Sequence, residues 1–193
     1  AKLRRAQAAA EASRPYTERL SAVLGALTAS VSQSDSAPRL LRGTGSDKRH
    51  LLVVMTSERG LCGGFNSSIV KLARTRLDEL ISDGKKVELV TVGKKGREQL
   101  KRDYSEQMIA HVDLSEVKRV GYNNAQDIAK DLLARFAADD FDVCTIFYNT
   151  FESVVSQIPT AQQIIPASFE DSGEENTLYD YEPSEEGVLA DLL

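Results

Sequence analysis

The chain of 193 residues contains no tryptophan, and its aromatic residues amount to only 6%. Flat aromatic faces are what stack on sugars and unpaired bases, so a carbohydrate site or a single-stranded nucleic-acid platform is disfavoured. The formal net charge is −5, which removes diffuse attraction to phosphate backbones, and no nucleic-acid partner is expected. Histidine occurs twice. His50 opens one predicted strand and His111 ends another, without the spacing that places two imidazoles on one helical face, so no metal site is expected. Both read as ordinary surface or strand-end residues. Cysteine also occurs twice. Cys62 and Cys144 do not form a C-x-x-C pair, which points to a reducing compartment. Cys144 lies in an apolar run where a small buried thiol packs well. Cys62 has Arg59 nearby but no histidine to act as its base, so nucleophilic catalysis is not expected. No apolar run reaches membrane-spanning length and no signal peptide is visible, so direct membrane insertion is not expected. The sequon Asn66-Ser67-Ser68 reads as a chance match.

What is present is an alternation of periods. Hydrophobic residues make up 41% of the chain, enough for a real core. Residues 1–31 repeat apolar positions at three- and four-residue steps (Leu20, Val23, Leu24, Leu27, Val31), behind an alanine-rich stretch. Pro15 predicts a kink or break in this helix. A lone helix of this composition is marginal in water and calls for a partner helix. Residues 32–48, rich in Ser, Gly and Asp, read as a connector. Strands are then predicted over 50–56, 87–92, 107–112 and 141–148. Helices are predicted over 67–83, with Ile69, Ala73, Leu77, Leu80 and Ile81 inward, and over 94–103. A further helix is predicted over 125–138, with Ile128, Ala129, Leu132, Leu133 and Phe136 inward. Gly84 is the predicted terminator of the first of these. Alternating strands and helices imply parallel βαβ units. Residues 150–165 return as extended chain, which would pair antiparallel and make the sheet mixed. The fold class is therefore α/β, a Rossmann-like mixed sheet flanked by helices. An acidic loop follows over 171–177, and Pro183 and Ser184 open a last helix with Glu185 and Glu186 in its first turn. Both ends stop inside helical patterns, so the sequence reads as a piece of a longer chain.

Charge is uneven. Residues 1–14 carry Lys2, Arg4, Arg5 and Arg14 against Glu11, whereas 170–193 carry nine acids and no base. Such runs are most simply solvated ends. A basic segment facing acidic partner loops is the functional alternative.

The most informative stretch is Thr56-Ser57-Glu58-Arg59-Gly60-Leu61-Cys62-Gly63-Gly64-Phe65-Asn66, between an apolar strand and an amphipathic helix. Its glycines suggest a sharp turn that uses positive φ and approaches its neighbours closely. The spacing of Gly60, Gly63 and Gly64 is not that of G-x-G-x-x-G, and Gly64 is followed by Phe65 and Asn66 rather than by Lys and Ser or Thr. A phosphate cradle is therefore disfavoured. A structural turn remains, with Asn66 or Ser67 capping the following helix.

The motif Glu58 to Asn66 resembles the signature turn of the gamma subunit of F-type ATP synthases, with Glu58 where the usual form has Asp. Four other segments resemble that family in the same order: Ala1 to Ala6; Ser13-Arg14-Pro15-Tyr16; Phe147-Tyr148-Asn149 with Phe151, Ser153 and Val155-Ser156-Gln157; and Tyr179-Asp180-Tyr181-Glu182-Pro183. The resemblance covers nearly the whole chain and is bacterial in type. The dithiol insertion of chloroplast members has no match here. It implies a central-stalk rotor rather than an enzyme, without a cofactor. The terminal helices, 1–37 and 183–193, would form an antiparallel coiled coil, joined through a linker, 38–48, to an α/β foot, 49–182. Implied partners are the alpha and beta subunits of the catalytic hexamer, the epsilon subunit and the membrane c-ring, at the cytoplasmic face of the bacterial inner membrane. Lys2, Arg4, Arg5 and Arg59 would face the beta subunits. Tyr179, Tyr181 and Glu182 would lie at the foot beside the ring and the epsilon subunit. An exposed ion pair stabilises by at most about 1 kcal/mol, so torque would pass through distributed contact. Two other readings stand: an α/β enzyme with a small-molecule site at the carboxyl ends of its strands, and a passive assembly scaffold.

Overall fold

A computed structural model describes residues 2–31, 37–153 and 155–168. The chain divides into two compact units, 1–43 with 165–193, and 44–164.

The first unit contains the 30-residue helix α1 (Lys2–Val31), which is continuous through Pro15. Of the expected kink or break, the break does not occur. Proline removes the N–H that would bond the carbonyl of residue 11. Residues 11–19 are exposed, so water can take up that carbonyl. The hydroxyl of Thr17 also bonds the Ser13 carbonyl at 3.1 Å across the same turn. The segment read as a connector contains one helical turn, α2 (Arg39–Arg42), after Pro38. The Pro38 carbonyl accepts the N–H groups of Leu41 and Arg42 at 2.9 and 3.2 Å. The helix predicted after Pro183 lies outside the described residues, and so does the pairing of α1 with it.

The second unit is an α/β layer structure. Its elements are β1 (Arg49–Met55), α3 (Phe65–Ser82), β2 (Lys86–Val92), α4 (Lys94–Tyr104), β3 (Met108–Val112), α5 (Tyr122–Ala137), β4 (Val143–Phe151) and β5 (Gln157–Ile165). The strand order is β3-β2-β1-β4-β5. β1 runs parallel to β2 and β4, and β2 parallel to β3. The last pair is antiparallel: Tyr148 meets Gln162 at 2.9 Å and Thr150 meets Thr160 at 2.6 Å, so partners descend on β5 as β4 ascends. The sheet is mixed, as its sequence predicted.

Both faces of β1 are covered, which is why it reads as an unbroken apolar run. Leu52 and Val54 point into a core formed with Ile69, Ala73, Leu77, Leu89, Leu100 and Phe147. Leu51 and Val53 alternate to the other face and are equally inaccessible. Right-handed crossovers put α3 and α4 on one face while the chain steps from β1 to β3. The step back from β3 to β4 puts α5 on the opposite face, where the rings of Phe136 and Phe141 lie 5.5 Å apart. Cys144 is fully buried on β4, and burial pushes its thiol up to about 12. Two predicted inward faces are narrower than expected. Ile81 on α3 and Leu133 on α5 are exposed, and so is Ala129. Leu132 and Phe136 alone are fully covered on α5, one turn apart.

Helix ends follow local chemistry. α3 ends at Asp83, and Gly84 at φ 73° lets Lys85 N–H reach the Leu80 carbonyl and Gly84 N–H the Ile81 carbonyl. This is the paired bonding of a Schellman end. α5 ends the same way with Asp139 at φ 61°, an aspartate in the place where glycine is the easy choice.

At the amino end of the sheet, Asp142 is buried, and its carboxylate receives the Arg49 guanidinium at 2.8 Å, the Arg49 and Lys48 N–H groups, and the Thr44 hydroxyl at 2.7 Å. The Arg49 hydrogen bond is the main cause that holds this carboxyl well below the usual range. His50 is buried rather than on the surface, and its Nε2 lies 2.8 Å from the Asp47 carbonyl. Burial lowers its pKa.

Candidate functional site

The glycine motif lies at the carboxyl end of β1, where βα loops of this fold class collect. Residues 59–64 are all exposed, and the side chain of Leu61 projects fully into water. Of the three glycines, only Gly63 adopts positive φ, at 58°. Leu61 adopts the same value without glycine's freedom. The predicted close approach is absent: a Cβ on Gly63 would meet nothing within 4 Å, and on Gly60 or Gly64 only ordinary contacts. The close approach belongs instead to the next βα loop. A Cβ on Gly93 would stand 2.1 Å from the Thr56 carbonyl oxygen, and one on Gly96 2.8 Å from the Thr56 hydroxyl. The Thr56 hydroxyl also accepts the Gly96 N–H at 2.7 Å. Glycine in G-K-K-G therefore lets β1 and α4 dock. Its signal was the short Val92-Gly93 step from strand to helix, and nothing in the spacing distinguished it.

Asn66 does not cap α3. The cap position is Gly64, without a side-chain bond, and Ser67 donates its hydroxyl to the Gly64 carbonyl. Asn66 is buried and folds back on the turn. Its Oδ1 accepts the Ser57 N–H at 2.9 Å, and its Nδ2 donates to the Ser57 hydroxyl at 2.9 Å. Nδ2 also lies 3.1 Å from the Cys62 sulfur. One amide thus ties both ends of the loop together. Further along the sheet edge, the Asn149 amide donates to the Phe65 carbonyl at 3.0 Å.

Glu58 is the functional-looking residue that sequence reasoning passed over. Its Oε2 accepts the Lys94 N–H at 3.1 Å, and its Oε1 accepts the Leu114 N–H at 2.7 Å. α4 has no acid in its own first turn. Glu58 supplies one from the neighbouring loop, against the positive end of the helix. A single carboxylate therefore joins the loops after β1, β2 and β3.

Arg59, Gly60, Gly63 and Gly64 come together on this one turn. Lys2, Arg4 and Arg5 lie near the start of α1, in the other compact unit. Tyr179, Tyr181 and Glu182 lie outside the described residues. Among the described residues no group of three His, Cys, Asp or Glu could hold a metal, and no helix is long and apolar enough to cross a membrane. The arrangement is chemically quiet. The Glu58 carboxylate is engaged by two backbone N–H groups, and the buried Asn66 amide by Ser57 and Cys62 of the loop itself.

Fold and site together define an α/β unit of doubly wound order whose conspicuous glycine turn is tied by Asn66 and Glu58. The family described as ATP synthase matches residues 1–193. The ATP synthase gamma chain of Dinoroseobacter shibae is 73% identical over 194 residues, covering 100% of this chain and 67% of that one. The gamma chain of Paracoccus denitrificans is 66% identical over 195 residues, with the same coverage. Among solved structures, the central stalk and c-ring of the Tetrahymena thermophila mitochondrial ATP synthase contains a chain 25% identical, with a TM-score of 0.54. The match covers 78% of this chain and 72% of that chain. A rotor chain of the Euglena gracilis mitochondrial enzyme shares the fold at 17% identity, with a TM-score of 0.51, over 99% of this chain and 72% of its own. The chain belongs to the gamma-chain family of ATP synthase, as the motif resemblance implied, and is a non-catalytic subunit of that complex.

Proposed function

We propose that this chain is the central-stalk rotor of a proton-translocating ATP synthase, converting rotation of a membrane ring into conformational change in catalytic beta subunits. The observation that carries this reading is the identity to bacterial gamma chains along the entire sequence. The likeness to a chain of a central stalk solved with its c-ring supports it. In this reading 49–182 forms the foot and 38–48 the linker. Helices 1–37 and 183–193 wind into an antiparallel coiled coil inside a hexamer of alpha and beta subunits. The complex sits at the cytoplasmic face of a bacterial inner membrane. An asymmetric shaft presents a different face to each beta subunit at each angle. Differential contact then biases each catalytic site between its states, the only way a partner can shift such an equilibrium.

Lys2, Arg4, Arg5 and Arg59 are the shaft and collar cations, and Tyr179, Tyr181 and Glu182 the foot contacts to the ring and epsilon subunit. The three glycines shape the collar turn. The test replaces the four cations together with glutamine in the assembled complex and measures proton-driven ATP synthesis. The rotor reading expects synthesis to fall while assembly persists. Undiminished coupled synthesis in the assembled quadruple variant would leave only a scaffold. Tight ATP binding or hydrolysis by the purified full-length chain would instead favour an enzyme.

A further inference from the structure

A second feature lies between α4 and β3, among residues that the glycine turn does not use. Thr91, Arg97, Lys101, Ser105, Met108, Ile109, Ala110 and His111 line a groove of about 280 Å³. No acid lines it. The cations of α4 divide into two sets. Lys94 and Lys95 share Glu98, and Arg102 pairs with Asp103. Arg97 and Lys101, the two that reach the groove, have no hydrogen bond or ion pair among the described residues. They stand one helical turn apart, a spacing at which like charges oppose the helix. The negative end of the helix dipole accounts for a cation at Lys101 but not for one a turn earlier.

His111 adds a directional group. Its Nδ1 lies 2.9 Å from the Thr91 hydroxyl oxygen and 3.1 Å from the Thr91 carbonyl oxygen. A carbonyl only accepts, so the second contact assigns the proton to Nδ1. The neutral ring then leaves Nε2 as an acceptor, turned away from Thr91. The Ser105 hydroxyl can donate or accept.

We propose that this groove binds inorganic hydrogen phosphate. Arg97 and Lys101 donate charge-assisted hydrogen bonds to its oxygens, and His111 Nε2 accepts its remaining P–O–H proton. The groove is smaller than sites that enclose drug-sized ligands, which suits a compact ion. Glu98 and Asp103 on the same helix would repel a longer polyanion.

The requirement for an O–H on the ligand makes the proposal specific. Sulfate has the same shape and charge and no proton to give. The test is an NMR titration of the full-length subunit at mildly alkaline pH, with inorganic phosphate, sulfate and chloride at matched ionic strength. Phosphate is expected to give saturable shifts at residues 105–111 in the millimolar range, and sulfate to bind more weakly. Arg97→Gln combined with Lys101→Gln, both at exposed positions, should weaken phosphate by about 10-fold or more. His111→Gln should narrow the preference over sulfate. Phosphate shifts that coincide with those of chloride, or that survive the double substitution unchanged, would overturn the proposal. Equal affinity for sulfate would remove the role given to His111 and with it the choice of phosphate.

Discussion

Removing the carboxylate of Glu58 perturbs three loops through one side chain. Two backbone donors converge on it, Leu114 N–H at 2.7 Å and Lys94 N–H at 3.1 Å. A hydrogen bond to a charged group contributes about 1.5–3 kcal/mol when well buried. The Leu114 bond is part-buried, whereas the Lys94 bond is exposed and longer, so the lower figure applies to the first and less to the second. Glu58→Ala should therefore cost about 2–3 kcal/mol. For a domain of this size that lowers the melting temperature by roughly 4–12 °C. Glu58→Gln keeps one acceptor oxygen and turns an NH2 toward the other donor, so about half the loss is expected. Glu58→Asp is a methylene shorter and can hold one donor at the present loop spacing, at about 1 kcal/mol. Chemical denaturation gives the energies, and amide exchange gives the location. Protection should fall first at Lys94 and Leu114 in the Ala variant. If Glu58→Ala stays within about 0.3 kcal/mol of the parent and those two amides exchange no faster, the carboxylate does not hold the loops together.

Gly93→Ala should destabilise by more than about 3 kcal/mol, because its Cβ would stand 2.1 Å from the Thr56 carbonyl oxygen. Gly63→Ala, at a similar positive φ in open space, should cost only about 1 kcal/mol, and equal losses in urea unfolding would contradict the steric account. Leu61→Gly should raise stability by up to about 1 kcal/mol, since it relieves φ 58° at a side chain that packs against nothing; a lower melting temperature would show that Leu61 has a structural role. Asp142→Asn should cost about 1–2 kcal/mol, because the Arg49 guanidinium loses its charge partner but is 36% exposed and keeps water and the Asp139 carbonyl. Because folding depresses the Asp142 carboxyl, the unfolded chain binds its proton more readily. Its contribution is whole above about pH 4 and is lost as pH falls below that. The parent should therefore lose stability through this acid window more steeply than the Asn variant, as thermal melts at successive pH values would reveal.

The centre of the sheet was legible because β1 and most of β2 are buried on both sides. An unbroken run such as Leu51-Leu52-Val53-Val54 has few other homes, and the four parallel strands were placed to within a few residues, whereas the last begins at Gln157 rather than at 150. The amphipathic faces were legible only where packing is deep. Ile81 and Leu133 carry the right period but lie beyond the edge of the contact, which periodicity alone cannot see. Pro15 leaves α1 unbroken, because the cost of proline depends on whether water can reach the freed carbonyl, a property of the helix's surroundings. The turn itself was the hardest to read. Its glycines announced a tight approach, yet the approach is made by Gly93 and Gly96, forty residues from Thr56 and without a motif of their own. The role of Glu58 was not legible, because its two partners are backbone N–H groups in loops that only the folded sheet brings together.

The two ends of the sheet solve the same problem with the same chemistry. At the amino end, Asp142 gathers the backbone N–H groups of Lys48 and Arg49 with the Thr44 hydroxyl. At the carboxyl end, Glu58 gathers those of Lys94 and Leu114, and Asn66 gathers Ser57. In an enzyme of this topology the carboxyl-end donors would be turned outward to meet a ligand. Here the Ser57, Lys94 and Leu114 donors are consumed internally. The turn is thereby left exposed in its side chains and tied at Ser57 and Cys62 by Asn66. A turn tied at its base in this way keeps its exposed side chains in one arrangement, which suits the contact surface proposed above for a rotor.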